Sequence, residues 1–501
     1  MTLAAACGWS LARSLAVATL ALPVCRSMCT CLQGLTEGQR RVTWLVLVLP
    51  FLCPELWTGY AWSGFAVRLA GSGVWEHLPT GLWGGPAAIV ARDVAVDELL
   101  LDVLLFVRLL PVGTLALYFA PPPPLSAEAL YCRELAVAKN RRRWLLNRDR
   151  LAFLLRGPWH GALPAAGLMF LVCFQEFELP SLIARPAWTV WLFDAQVGGL
   201  ALNESLRRAL WPVAWQLLVA APLIGWAVSN RGSAARRRVS GSQSPIRKCL
   251  LWCVALSSIA VVCIVPLVFI GRGTVVGLSR VVQNTGQFRG LLGEIFTGLG
   301  YAVATAVASA LFAVWVLEKA RTSRLALAGA IAAAVPGMFG SLILGLSVVQ
   351  ALQLPYVRVL YKTPMALAAG MALYLMPRAI VMRLLLWSNR QSSGAHLATL
   401  LGDSPSTSAR DAAAELMWRM RWRGEVWYGA LLAWWAFLDL TLIYLLSPVT
   451  IVSAPVMLYN QMHFGKNAVL SALVFLTVAV PALGFAAALA SRLLLFRWVW
   501  R

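Results

Sequence analysis

Charge is scarce in this 501-residue chain. Charged side chains make up 13% of it, against roughly 25% in a soluble domain, while 60% is hydrophobic and the mean hydropathy is +0.72. That shortage excludes a water-soluble globule, so lipid must be the solvent for much of the surface. Acids are scarcer still, 21 against 43 Lys and Arg. Only four histidines occur (His77, His160, His396 and His463), and they lack the spacing of metal ligands. No Gly-rich loop runs into Lys and Ser or Thr, which excludes nucleotide hydrolysis by a P-loop. No Ser/His/Asp arrangement can be proposed, and the ~10-residue alternating segments of a membrane barrel are missing.

Long apolar runs fill the chain instead, at about 9–25, 43–62, 98–120, 160–181, 209–228, 248–271, 295–317, 325–351, 363–387, 427–448 and 467–493. Each is near the ~20 residues that cross a bilayer as a helix. Backbone groups in lipid must bond within their own segment, so helices are expected. The net charge of +22 is a matter of placement. The segments 26–42, 120–158, 229–248, 318–324 and 388–426, with the C-terminal end, hold 28 of the 43 basic residues. Alternate connections are therefore basic and are expected in the cytoplasm, as is the C-terminus. Nucleic acid is not an expected partner, although the Arg141–Arg143 run keeps that reading in view. Many of the 23 Trp stand near run ends, as an interfacial belt requires.

The second half repeats the first. Ala16-Val17-Ala18-Thr19 recurs as Ala302-Val303-Ala304-Thr305 and Pro50 as Pro336, at an offset of 286. Pro111 matches Pro377, Leu192 matches Leu458, Gly199 matches Gly465 and Ser205 matches Ser471, at 266. The drop of 20 places one insertion in 63–97, a stretch expected outside and bearing Trp75, Trp83, Gly84, Gly85 and Pro86. Such a duplication usually surrounds a pathway on a pseudo-two-fold axis. The expected fold is an all-α polytopic membrane protein of two tandem helical bundles with about 11 spans, five and six. The first half covers 1–228, a basic Gly/Ser/Arg linker 229–247, and the second half 248–501. The run 248–271 has no partner in the first half, so either that half has lost its opening helix or the reading frame begins too late. The start resembles a signal peptide only weakly, and the match at 16–19 favours a retained helix.

Two groups of residues invite chemistry. Cys25, Cys29 and Cys31 lie close together, but nothing completes a metal set, and small apolar packing residues are the plainer reading. Neither a metal nor a cofactor is expected. Acids inside apolar runs carry more. Glu176 and Glu178 stand near the end of 160–181, where Pro180 is expected to stop the helix, and Asp439 stands mid-way through 427–448. An Asp at a span centre costs roughly 2.5–3.5 kcal/mol to insert, so it needs a cavity, a water path or a partner. Asp439 is weighed equally as a gate and as an ion pair with Arg378 or Arg383. For Glu176 and Glu178 a place at the membrane surface is favoured over a pathway role.

Phe174-Gln175-Glu176-Phe177-Glu178-Leu179-Pro180, with Thr189 and Leu192-Phe193, resembles the end of one half of a known permease family. These are the fused inner-membrane permeases of ferric-iron and thiamine type ABC importers, within the binding-protein-dependent transport permeases. Asp439 and Pro448, then Leu458-Tyr459 and Gly465, resemble the corresponding end of the other half. The resemblance covers about 9 to 493. It implies a type I ABC permease fold in a bacterial inner membrane. It also implies coupling loops near 122–157 and 388–426 that dock on two ATPase subunits, and a binding protein delivering the solute from outside. Glu134-Leu135-Ala136 with Arg141-Arg142-Arg143, and Asp411-Ala412-Ala413, occupy the places of the family's Glu-Ala-Ala coupling motif. The Gly expected about six residues on is Asn140 in one copy and Met417 in the other. The implied activity is ATP-driven import by alternating access, with ATP hydrolysed on other subunits and no catalytic residue in this chain. A polytopic lipid or glycosyl transferase, using Glu76, His77, Arg92, Asp93, Asp97 and Glu98, is the alternative, as is a degenerate scaffold without transport.

Overall fold

A computed structural model describes residues 1–70, 86–121, 156–157, 159–229, 245–320, 323–361, 363–388, 392–418, 423–448, 453–462 and 467–499. Helix is the regular structure throughout, and no strand occurs among the described residues. Among the described residues seven helices are long and apolar enough to cross a membrane, as are three bent helix pairs when each pair is taken as one rod. The chain is a multi-pass, all-helical membrane protein. It divides into two compact units, Met1–Gly199 with Arg208–Val268, and Leu200–Arg207 with Phe269–Arg501.

The first unit opens with α1 (Leu3–Gln33), capped by the Thr2 side chain on the Ala5 N–H at 3.3 Å. Helix α2 (Glu37–Leu52) stops at Cys53 because Pro54 has no N–H and drives the residue before it out of helical geometry. Helices α3 (Glu55–Trp62) and α4 (Phe65–Ala70) follow, and the rod bends by 67° at the break. Next come α5 (Pro86–Tyr118), α6 (Ala162–Phe174), α7 (Glu178–Leu182), α8 (Trp188–Val197) and α9 (Leu202–Ser229). Helix α1 packs on α5, α6 and α8 through small residues, with Ala6, Ala18 and Ala21 buried. Small side chains let helix backbones approach where lipid gives no hydrophobic drive between them. Arg13, buried on α1, pairs with Glu98 of α5 and donates to the Pro186 carbonyl at 3.2 Å.

The 248–271 run lies in a longer rod, α10 (Pro245–Ile259), a π-turn (Ala260–Ile264) and α11 (Val265–Gln283). Its 39 residues are well beyond the ~20 that cross a bilayer as a helix. In the first unit α10 packs on α2 and α1, and the π-turn on α5 and α2.

The second unit holds α12 (Thr285–Ala320), α13 (Arg324–Met338), α14 (Ser341–Leu352) and α15 (Pro364–Ser388). They are followed by α16 (Ser392–Gly402), α17 (Thr407–Met417), α18 (Arg423–Leu438), α19 (Leu440–Leu446), α20 (Ala454–Met462) and α21 (Ala468–Val499). Helix α12 packs on α15, α18 and α20, as α1 packs on α5, α6 and α8 in the first unit. The α13–α14 pair turns by 108° at Gly340, whose φ of +87° lies in the region that favours glycine. Pro50 and Pro336 stand just before the two breaks, and Pro111 and Pro377 lie inside α5 and α15, so the sequence repeat is a repeat of helix geometry.

Four of the expected spans differ from straight rods. The run 427–448 breaks at Asp439 with a 62° bend, and 43–62 and 325–351 break as described above. The run 160–181 is also interrupted: α6 ends at Phe174, and Pro180 sits inside the first turn of α7 rather than ending a helix. A Pro in the first turn loses no intrahelical bond, so it is tolerated there.

Candidate functional site

The breaks converge within each unit. In the first, the α3 segment beyond the Cys53–Pro54 break packs on α7. Glu55 opens α3, and its carboxylate pairs with Arg108 of α5. Arg108 is buried and also donates to the Cys53 carbonyl at 3.0 Å. The charges of Glu176 and Glu178 act on the same guanidinium. Glu176 stands in the turn between α6 and α7, where its Oε1 accepts from the Leu179 N–H at 3.2 Å. Its own carbonyl accepts from Thr189 Oγ1 at 2.7 Å, which ties the turn to α8. Trp188 is fully buried beside it and donates from Nε1 to the Phe174 carbonyl at 2.6 Å, covering a free helix end.

The second unit rebuilds this junction with other side chains. Helix α14, beyond the Gly340 break, packs on α19. Asp439 is the N-cap of α19, and its Oδ1 accepts from the Leu442 N–H at 2.8 Å, three residues on, as Glu176 accepts from Leu179. Tyr374, Ser341 and Arg378 interact with the same carboxylate. Arg378 donates to the Tyr374 hydroxyl at 3.0 Å and lies 4.1 Å above that ring, with the Trp435 ring 5.9 Å away. At the repeat offset of 286, Glu55 corresponds to Ser341, and at 266 Arg108 corresponds to Tyr374. Glu176 and Asp439 stand 263 apart, three short of that offset, so the third position of Glu55–Arg108–Glu176 and Ser341–Tyr374–Asp439 is matched across a small local gap, by the shared carboxylate bond to the N–H three residues on. Chemistry has diverged at two of three positions while the acid that caps the short helix is kept.

These positions alter several sequence expectations. Asp439 is not at the centre of a continuous helix: it makes the break, and the backbone N–H of Leu442 is its direct partner. Of its two candidate cations, Arg383 is bonded to Glu425 instead, while Arg378 interacts with it. Glu176 is part-buried within the protein and bonded to backbone. Glu178 opens α7 and shares the same cation. Glu55, Arg108, Ser341 and Tyr374 do not stand out in the sequence, because their runs read as continuous; once Glu55 and Arg108 are known, the two offsets point to Ser341 and Tyr374.

The other expected residues are elsewhere. Asp411, Ala412 and Ala413 lie on α17, which packs against α16 as a helical hairpin. Asp411 and Ala412 are exposed and Ala413 is buried in the hairpin. Glu134, Leu135, Ala136, Arg141, Arg142 and Arg143 lie outside the described residues. Cys25, Cys29 and Cys31 are buried along α1, and no group of three or more His, Cys, Asp or Glu that could hold a metal occurs among the described residues. Glu98, of the alternative enzyme set, pairs with Arg13, as does Asp102 at 3.6 Å, while Glu76 and His77 of that set lie outside the described residues. No family model, curated protein or solved structure matches the chain.

Proposed function

We propose that the chain is the permease subunit of an ATP-driven ABC importer in a bacterial inner membrane, with a cytoplasmic C-terminus. Its substrate is ferric iron, thiamine or a similar small solute handed over by an extracytoplasmic binding protein. The observation that carries this reading is the duplicated junction: in each unit a bent helix pair meets an acid-capped short helix beside polar side chains. Broken helices place backbone groups and charge at membrane depth, which is tolerated where protein or a water-filled cavity surrounds them. The bent pairs are long and apolar enough to cross a membrane only with both helices taken together, so their breaks interrupt the apolar segments themselves. On this reading the α16–α17 hairpin and the loop 122–157 receive two ATPase subunits, whose closure on ATP rocks the two halves. The exposed Asp411 face is the contact in the second half.

The test is co-purification with the ATPase subunits encoded near this chain, followed by ATP-dependent uptake in vesicles with the binding protein. Asp411→Lys is expected to weaken the complex at least tenfold while leaving the fold unchanged, because Asp411 is exposed. If no complex forms with any neighbouring ATPase, the reading fails.

A further inference from the structure

Most described cysteines are packed away. Cys7, Cys25, Cys29, Cys31 and Cys173 are buried, Cys249 and Cys253 are exposed on α10, and Cys53 and Cys263 are part-buried. These two also stand at points of the first unit where neighbouring backbone leaves α-helical geometry. Cys53 is the break between α2 and α3, and Cys263 lies in the π-turn Ala260–Ile264. A π-turn shifts the hydrogen-bond ladder by one residue and leaves carbonyl oxygens open to other donors. The α2–α3 break supplies those donors. Trp62 Nε1 donates to the Val261 carbonyl at 3.0 Å, and Cys53 Sγ donates to the Val262 carbonyl at 3.3 Å. Thr58 Oγ1 approaches the same Val262 carbonyl at 3.5 Å. These contacts hold the break against the π-turn in one register, and the Cys53 and Cys263 thiols interact with each other there. The residues lie 210 apart in sequence, so nothing local brings them together.

We propose that Cys53 and Cys263 form a dithiol site that reacts with small apolar disulfides and closes to an intramolecular disulfide, tying the α2–α3 break to the π-turn. One protein thiol, as its thiolate, attacks a sulfur of the reagent disulfide, giving a mixed disulfide and releasing one reagent thiol. The second protein thiol then attacks the protein sulfur of that mixed disulfide and releases the second reagent thiol. One reagent disulfide is reduced to two thiols, the protein pair is oxidised by two electrons, and both protons leave on the reagent thiols. The site does not depend on the permease reading, since every residue in it lies within the first unit.

The experiment treats the full-length protein in its membrane with 4,4′-dithiodipyridine, an apolar disulfide. Free thiols are then alkylated, and the digest is mapped by mass spectrometry without reductant. Cys53 and Cys263 peptides joined to each other and free of pyridyl adducts are the expected result, with Cys25, Cys29 and Cys173 left as free thiols. In Cys263→Ser, Cys53 should retain a pyridyl adduct, because the second attack is lost. Separate adducts on both cysteines, two unreacted thiols, or preferential cross-links to other cysteines would each overturn the proposal. The wild-type result alone decides it, so a poorly folding variant does not leave the question open.

Discussion

At the residue scale, the acids in the apolar runs act first on backbone. An unbonded N–H inside a membrane costs several kcal/mol, and every new helix start exposes such groups. Asp439 and Glu176 each cover one with a carboxylate oxygen, which explains how a charged side chain is accommodated in a run that otherwise reads as a span. Asp439→Ala is expected to destabilise the second unit by about 1 kcal/mol through loss of the cap. Asp439→Asn keeps the acceptor oxygen and should lose less than half of that. Thermal unfolding in detergent checks the pair, and equal losses in both variants would remove the capping role. The presence of these acids was legible in the sequence because charge is rare there. Their partners were not, because Arg108 meets Glu55 across 53 residues and a chain reversal.

At the element scale, the helices were legible and their interruptions were only partly so. Hydropathy averages over a window, so 325–351 reads as one run although Gly340 turns it by 108°. Pro54 offered a signal through its missing N–H, whereas at the break after Phe174 and at Asp439 the free backbone groups bond the side chains of Trp188, Glu176 and Asp439, which composition does not reveal. Close helix contact is likewise a matter of position. On α11, a methyl group added to Gly277 would fall on the Ala468 backbone, whereas one added to Gly271 meets nothing within 4 Å. Gly277→Ala should therefore lower the melting temperature clearly, since backbone cannot yield as a side-chain tip can. Gly271→Ala should leave it unchanged or raise it slightly, through the gain of about 0.5–1 kcal/mol in helix propensity. Comparable melting of both variants would contradict this packing.

At the scale of the whole molecule, the duplication and the basic connections carry the functional reading. If 388–426 is cytoplasmic, a cysteine placed at exposed Ser408 on α17 should react with a membrane-impermeant maleimide in inverted vesicles and not in intact cells. The opposite pattern would reverse the topology and remove the ATPase docking surface. The sequence by itself determined the helical membrane class, the repeat and the scarcity of charge, because solvation by lipid acts on each segment separately and leaves its mark on composition. The tertiary structure decided which runs break, which residues cap the breaks, and that Glu55–Arg108–Glu176 is matched by Ser341–Tyr374–Asp439. Those choices depend on hydrogen bonds and ion pairs between segments distant in the chain, where a buried polar group finds its partner only once the helices have packed.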